Sequence, residues 1–217
     1  MMLKQFLDTA LDWVFPPQCS GCGRVGWAWC PHCADDLRAV PLKLDLALLT
    51  GFEVVMSTGI HTGKLAEAVR ALKYDRVLQV KTDLGERLAK ALWQKGWQFD
   101  ILIPVPLHSK RFQQRGYNQA KHLCDAIAAH SPCSILTDVL FRARDTPPQV
   151  GLNLQERIAN MHGAFRADAR RIADKVVLLV DDVRTTGATL SACAHALHEA
   201  RAVYGITVTQ AAKKNPK

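Results

Sequence analysis

Two adjacent aspartates, Asp181 and Asp182, stand directly after a run of apolar residues, Val176 to Val180. A short loop of small and hydroxyl-bearing residues, Thr185 to Thr189, follows them and opens into an apolar segment with helical spacing. In an open α/β sheet, ligands bind at the carboxyl ends of the strands. Carboxylates at such an edge point to opposite sides of the strand and can accept hydrogen bonds from the hydroxyls of a diol. The stretch therefore predicts a strand, a binding loop and a helix.

The loop has the parts of an anion site at the start of a helix. Its backbone N–H groups and the hydroxyls of Thr185, Thr186 and Thr189 can surround a phosphate. Gly187 and Ala188 keep bulky side chains out of the way of that phosphate. An N-capped helix after a strand explains one threonine, but not two acids and three threonines around a glycine. A diol beside a phosphate, one sugar apart, describes ribose 5-phosphate.

Four of the seven cysteines form two Cys-x-x-Cys pairs with seven residues between them. Two such knuckles complete a tetrahedral zinc site from Cys19, Cys22, Cys30 and Cys33. Disulfides are the first alternative, but they persist mainly in oxidising compartments. A redox pair is the second, but it usually stands alone near a βαβ unit. We expect a zinc module over residues 1–40, folded by its metal, and a larger domain over 41–217.

Strands and helices alternate in the larger domain. Strands are predicted at 52–58, 100–107, 175–182 and 204–212, and helices at 63–74, 79–95, 117–130 and 187–200. This alternation predicts an α/β fold in which a mostly parallel sheet is flanked by helices. GIHTGK (59–64) has one residue too few for a P-loop, and Leu65 replaces the hydroxyl residue, so we expect only a helix start there.

The N-terminal residues 1–15 have the pattern of an amphipathic helix rather than of a signal peptide. No segment reaches the ~18 consecutive apolar residues of a transmembrane helix. We therefore expect a cytoplasmic protein without a membrane span.

The net charge of +8 is concentrated in the second half of the chain, which carries +7 after residue 100. The stretch 108–122 contains no acid and carries Lys110, Arg111, Arg115 and Lys121. Two interpretations remain open: a solvated basic face, or a site for the phosphates of a nucleotide or a nucleic acid. Phe112 and Tyr117 within the stretch suit stacking with single-stranded bases, and core packing is the alternative for both.

VVLLVDDVRTTGATL (176–190) resembles the phosphoribosyl diphosphate (PRPP) signature of type I phosphoribosyltransferases. The resemblance implies their fold, here preceded by a small four-cysteine zinc module. It also implies that Asp181 and Asp182 contact the ribose hydroxyls, that residues 185–189 bind the 5-phosphate, and that Mg²⁺ accompanies the PRPP.

More of the chain resembles a narrower group, the competence protein F (ComF) family. Four parts of the chain are similar to segments of this family and follow in the expected order: the N-terminal pair of Cys-x-x-Cys motifs, ALKY (71–74), and the segments 103–120 and 142–165. In this group, the domain is associated with the uptake or use of external DNA. The resemblance implies a PRPP or ribose 5-phosphate ligand, a hood over 142–162, and single-stranded DNA and a competence helicase or other DNA-processing proteins as partners.

Several points remain alternatives within this resemblance. Lys73, Tyr74 and Arg115 are the candidates for the pyrophosphate, although Asp75 to Val77 stand where the family usually has a glycine. Arg184 replaces a residue that is usually apolar or aromatic, and it either reaches a phosphate or faces water. A nucleobase-salvage phosphoribosyltransferase and a PRPP-sensing regulator without turnover are the alternative functions.

Overall fold

The computed structural model describes residues 16–143 and 163–212 of the 217-residue chain. The elements run in this order: α1 (Pro31–Ala39), β1 (Asp45–Ala47), β2 (Val54–Ser57), α2 (Gly63–Tyr74), α3 (Val80–Lys95), β3 (Ile101–Pro104), α4 (Ser109–Arg115), α5 (Gln119–Ala128), β4 (Ser134–Ile135), β5 (Leu140–Arg142), β6 (Phe165–Ala167), α6 (Ala169–Ile172), β7 (Val176–Arg184), α7 (Ala188–Ala196) and β8 (Ala202–Gln210). The predicted N-terminal helix and nearly all of the predicted hood lie outside the described residues.

A six-stranded sheet with the order β1-β2-β8-β7-β3-β4 forms the centre of the molecule. In this order, the five neighbouring strands β2, β8, β7, β3 and β4 pair in parallel. Within the sheet, only the edge strand β1 is antiparallel to its neighbour. The predicted α/β fold, with a mostly parallel sheet flanked by helices, is confirmed. The four longest strands of this sheet lie where the sequence predicts them. The edge strands and the separate β5–β6 pair were not predicted, because runs of two or three residues carry no measurable periodicity.

The two faces of the sheet are buried in two different apolar clusters. Along β7, Leu178 and Val180 pack on the side of α2, α3 and α5, whereas Val177 and Leu179 pack on the side of α7 and β6. A strand that is covered on both faces needs apolar residues at every position, which explains the continuous run before the acids. β7 ends at Arg184 rather than at residue 182 as predicted, so both acids lie inside the strand.

The cysteine-rich segment packs directly on the larger domain. Its buried Trp29 and Leu37 belong to the same apolar cluster as Leu84 and Leu88 of α3. Arg38 in α1 also donates a hydrogen bond of 2.6 Å to Asp83 in α3. The cysteine-rich segment and the domain therefore share one continuous core on this side of the sheet.

Arg87 holds the linker between these two parts. Its guanidinium donates to the carbonyl oxygens of Val40 and Pro41 at 2.6 and 2.8 Å, and to the hydroxyl and carbonyl oxygens of Thr58 at 2.9 and 2.7 Å. The side chain is only 7% exposed, and this burial lowers the pKa of Arg87 to about 10. One buried cation thus fixes the linker against the end of β2.

No helix in the described ranges is sufficiently long and apolar to cross a membrane.

Replacing Arg87 by methionine should lower the free energy of unfolding by about 3 kcal/mol, because buried acceptors in the linker and at Thr58 lose their donor. Chemical denaturation with urea measures this change. Lys90→Met on the same helix is the control, since Lys90 is exposed and pairs with Glu86 alone among the described residues, and it should cost less than about 0.5 kcal/mol. Equal effects of the two substitutions would contradict the anchoring role of Arg87.

Candidate functional site

The four predicted metal ligands meet in one cluster. The sulfur atoms of Cys19, Cys22, Cys30 and Cys33 all lie within 4.8 Å of one another, and those of Cys22 and Cys30 are 3.6 Å apart. Sulfur atoms about 2.3 Å from one tetrahedral ion lie roughly 3.8 Å from each other, so the cluster can hold a metal ion. The second pair is fixed by α1, because Cys30 is its N-cap and Cys33 lies in its first turn.

The surroundings of the cluster suit thiolates, the form in which cysteines bind a metal ion. The Cys30 backbone N–H donates to the Cys19 sulfur at 3.3 Å, and the Lys64 ammonium lies 3.5 Å from the Cys33 sulfur. Burial, together with the neighbouring cysteines, raises the pKa of Cys33 to about 12, and a bound cation would offset this cost of forming the thiolate. A Cβ at Gly21 would lie 2.7 Å from the Cys33 sulfur and 3.0 Å from the Trp29 ring. The backbone can therefore pass this close to the sulfur and the ring only with glycine at position 21.

The two acids of β7 point to opposite sides of the sheet. Asp182 continues the face of Leu178 and Val180, is only 3% exposed, and its Oδ2 lies 2.8 Å from the Lys73 ammonium. Beyond this ion pair, Asp182 Oδ2 accepts no hydrogen bond from the described residues. Asp181 continues the opposite face, and its Oδ1 accepts a hydrogen bond of 2.8 Å from the Asp182 backbone N–H.

The environment of Asp181 changes its pKa. Desolvation at the sheet edge raises the pKa of Asp181 to about 8, and the negative charge of Asp182 acts in the same direction, whereas the Lys73 ammonium opposes the shift. Asp181 can therefore keep its proton near neutral pH, beside the Asp182 carboxylate that pairs with Lys73. Such a pair can both accept and donate hydrogen bonds toward sugar hydroxyls.

Lys73 is positioned by contacts from a segment that is distant in the sequence. It lies in the last turn of α2, where the Tyr117 hydroxyl donates to the carbonyl oxygen of Leu72. The Arg115 guanidinium lies over the Tyr74 ring, 4.8 Å from its centroid, and donates to Gln119 Oε1 at 2.8 Å. The ALKY helix end, the RGYNQA segment and the acid pair thus meet at one place.

The threonine loop connects β7 to α7. Thr185 and Thr186 are exposed, whereas Ala188 is buried and Thr189 is partly buried in the first turn of the helix. The Ala188 backbone N–H donates to Thr186 Oγ1 at 3.4 Å. Gly187 has a left-handed φ of 84°, and a Cβ there would lie 2.6 Å from Leu49 Cδ1. Glycine is therefore required by the turn and by the packing of Leu49, which sequence reasoning did not identify.

Arg184 braces the sheet beside this loop. Its guanidinium contacts Asp45 of the edge strand β1 and Gln210 of β8, and its Nε donates to Ser57 Oγ at 3.2 Å. The side chain is only 11% exposed. The interpretation that Arg184 faces water was wrong, because Asp45, Gln210 and Ser57 surround its guanidinium.

One residue of the site was missed in the sequence. His61 lies in the GIHTGK segment, and its Nδ1 is 2.9 Å from Thr209 Oγ1 at the end of β8. With Lys73 and Tyr74 it lines a cavity of about 460 Å³ along α2. Burial lowers the pKa of His61, the Lys73 charge adds to this effect, and Asp182 opposes it. Only the pairing of β2 with β8 brings His61 here, and no local pattern signals that pairing.

The residues of the basic stretch 108–122 differ in their exposure to solvent. Lys110, Arg111 and Lys121 are exposed, whereas Arg115 is buried against Tyr74. Phe112 is 50% exposed. Tyr117 is half-buried, and its hydroxyl is engaged with α2. The structure thus joins Arg115 and Tyr117 to the acid-pair site and leaves the other three cations and Phe112 on the surface.

The Asp181→Asn variant should be more stable than the wild type at about pH 8, but equally stable near pH 4. An aspartate of ordinary pKa, 3.8, loses its proton on unfolding, whereas Asp181 keeps it up to about pH 8. The free energy of unfolding of the wild type therefore falls as the pH rises through this window, and asparagine removes that fall. Thermal unfolding across the pH range measures the difference. Asp138→Asn is the control and should show no such gain, because Arg171 lowers the pKa of Asp138.

Comparisons with known proteins agree with the motifs. No family model matches the chain. The chain is 29% identical to the DNA utilization protein YhgH of Salmonella typhimurium over 193 residues, which cover 82% of this chain and 83% of that protein. It is 26% identical to the protein of the same name from Escherichia coli K12 over 192 residues, which cover 85% of this chain and 84% of that protein.

A solved structure and a third curated relative complete the comparison. TT1426 from Thermus thermophilus matches with a TM-score of 0.36 and 13% identity over 63% of this chain and 85% of that chain, a level that supports no conclusion. Competence protein F of Haemophilus influenzae is 29% identical over 185 residues, or 80% of each protein. The curated relatives confirm the resemblance that the motifs predict, and over most of its length the chain is similar to the competence protein F (ComF) family.

Proposed function

We propose that this protein binds PRPP, or a related ribose 5-phosphate ligand, at the carboxyl edge of its sheet and acts in the utilisation of DNA, binding single-stranded DNA on its basic surface. The observation that carries the proposal is the meeting of Lys73, the acid pair and the threonine loop at one edge. The names of the relatives, which refer to DNA utilisation and competence, support the cellular role. We expect that role to be exercised in the cytoplasm.

Each part of the ligand has a counterpart in the chain. The backbone N–H groups at the start of α7 and the hydroxyls of Thr185 and Thr186 suit the 5-phosphate. Asp181 and Asp182 suit the ribose hydroxyls. Lys73 carries the charge that a pyrophosphate group needs, and Tyr74 and Arg115 hold the end of α2 that presents it. Mg²⁺ would neutralise the pyrophosphate, and the acid pair is the group that suits its hydration shell.

Binding of PRPP would change the partner of Lys73. The ammonium neutralises the buried Asp182 carboxylate at 2.8 Å. A diol that donates hydrogen bonds to Asp182 would compensate this carboxylate and allow Lys73 to turn toward the pyrophosphate. The ion pair thus keeps the site compensated until a ligand binds. This arrangement is useful for binding whether or not a group is transferred.

PRPP with Mg²⁺ should raise the thermal midpoint of the wild type by several degrees, since a ligand at 100 times its Kd stabilises the fold by about 2.7 kcal/mol. The Asp181→Asn/Asp182→Asn variant should lose most of this shift. Differential scanning fluorimetry measures it. Full retention of the shift by the double variant would disprove the assignment of the acids to the ligand site.

Lys73→Gln refines this test. It should reduce the shift produced by PRPP much more than the shift produced by ribose 5-phosphate, because only PRPP has a pyrophosphate group for Lys73 to contact. Lys81→Gln, an exchange of the same kind on α3, should change neither shift. Release of pyrophosphate from PRPP across a panel of bases would instead indicate the salvage enzyme, and PRPP binding with neither turnover nor DNA binding would indicate a regulator.

We further propose that the metal ion of the cysteine cluster is a structural zinc. Four thiolates close the tetrahedral shell and leave no position for a substrate. The cluster lies in the same apolar core as α3, so its loss would expose that core. An interaction of the protein with a competence helicase or other DNA-processing proteins remains a prediction.

The purified protein should contain one zinc ion per chain, measured by atomic emission spectroscopy. Cys33→Ser should abolish stoichiometric zinc binding and lower the thermal midpoint, because the cluster then lacks a buried ligand. Cys133→Ser is the matched control, since Cys133 lies outside the cluster, and it should retain the zinc. A zinc-free wild type that is unaffected by a strong chelator would refute the proposal.

A further inference from the structure

A second cavity, of about 500 Å³, lies beyond the end of β3 and shares no lining residue with the cavity along α2. It is bordered by α4, by the start of α5 and by β5. Two aromatic side chains line it: Phe112 from α4 and Phe141 from β5, which are 50% and 48% exposed. Large apolar side chains that stay half-exposed beside a cavity offer an unused stacking surface.

The polar lining of the cavity has one sign of charge. Lys121 and Arg142 contribute to it, and none of its described lining residues is an aspartate or glutamate. Asp125 holds the Lys121 ammonium at 2.8 Å, but both groups are on the surface, so the pair is weak. Lys110 and Arg111 are exposed on the same helix as Phe112. A cavity with aromatic walls and a basic rim suits an aromatic ring that carries a phosphate.

This combination distinguishes among ligand classes. A purely apolar ligand would gain nothing from the cations. A base pair inside a duplex has no free face to place on Phe112 or Phe141, because its neighbours already stack on it. Bases of a single strand have free faces, and proteins bind them with aromatic platforms beside a basic groove. The cavity volume lies in the range of ordinary ligand pockets.

We propose that this cavity receives a nucleotide of single-stranded DNA, with its base against Phe112 or Phe141 and its phosphate near Lys121 and Arg142. The proposal rests on the DNA-binding part of the proposed function and gives it a location. It assigns the stacking role within the basic stretch to Phe112 rather than to Tyr117, whose hydroxyl is engaged with α2.

The position of the cavity also places the DNA near the PRPP site. Pro104, which lines the cavity, pairs in register with Val180, the residue directly before the acid pair. A DNA strand bound in the cavity would therefore lie near the acids. PRPP and single-stranded DNA are expected to bind at neighbouring sites of one sheet edge.

Fluorescence anisotropy with a fluorescein-labelled oligothymidylate at low salt tests the proposal. The Phe112→Ala/Phe141→Ala variant should bind roughly tenfold or more weakly than the wild type, the scale of lost base stacking. Trp93→Ala is the matched control, since Trp93 is 84% exposed but outside the cavity, and it should bind like the wild type. Both aromatic positions are exposed enough for the variant to fold, which its unchanged thermal shift with PRPP would verify.

A charge variant adds an independent readout. Lys121→Gln should make the fall of log K with log salt less steep by about one, as expected for one lost phosphate contact. Lys90→Gln on α3 should leave this slope unchanged. Wild-type affinity in the double aromatic variant would overturn the location while the DNA-binding function stands. A wild type that binds PRPP but no oligothymidylate would overturn the DNA-binding function itself. A protein that binds thymidine monophosphate but does not bind oligothymidylate would also overturn the proposal.

Discussion

The ion pair between Lys73 and Asp182 is the interaction on which the candidate site depends. A carboxylate that is almost fully buried at a sheet edge is costly unless a cation lies beside it. Lys73 supplies that cation from α2, and Tyr117 and Arg115 hold the helix end that carries it. Three segments that are far apart in the sequence must therefore be folded together before the acid pair is tolerated.

The helix α2 connects this ion pair to the cysteine cluster. Lys64 near its start contacts the Cys33 sulfur, and Lys73 near its end contacts Asp182. Nine residues of helix span about 14 Å, and a helix transmits a shift at one end to the other as a nearly rigid body. The cysteine-rich segment therefore helps to set the position of the lysine.

Local patterns in the sequence were sufficient to predict the central strands, the flanking helices, the four clustered cysteines and the location of the acid pair at the sheet edge. Each of these depends on residues that are close together in the chain. The Lys73–Asp182 pair, the contact of His61 with Thr209 and the bracing of the sheet by Arg184 depend on partners many tens of residues away. The order of the strands in the sheet determines these contacts, and that order cannot be read from a single sequence. The burial of Arg115 has the same origin, because its charge suggested a surface position and only the fold places Tyr74 beneath it.

The strand order also determines when the molecule can be assembled. The early strands β2 and β3 are not neighbours, and the two late strands β7 and β8 lie between them. During synthesis, the cysteine segment and the first three helices leave the ribosome long before the strands that complete the sheet. Until β7 and β8 are made, β2 and β3 have no partners on those edges, and such exposed edges favour aggregation. The chain therefore depends on rapid late closure of the sheet, and a product that stops short of β7 contains the four cysteines but lacks the acid pair and the threonine loop.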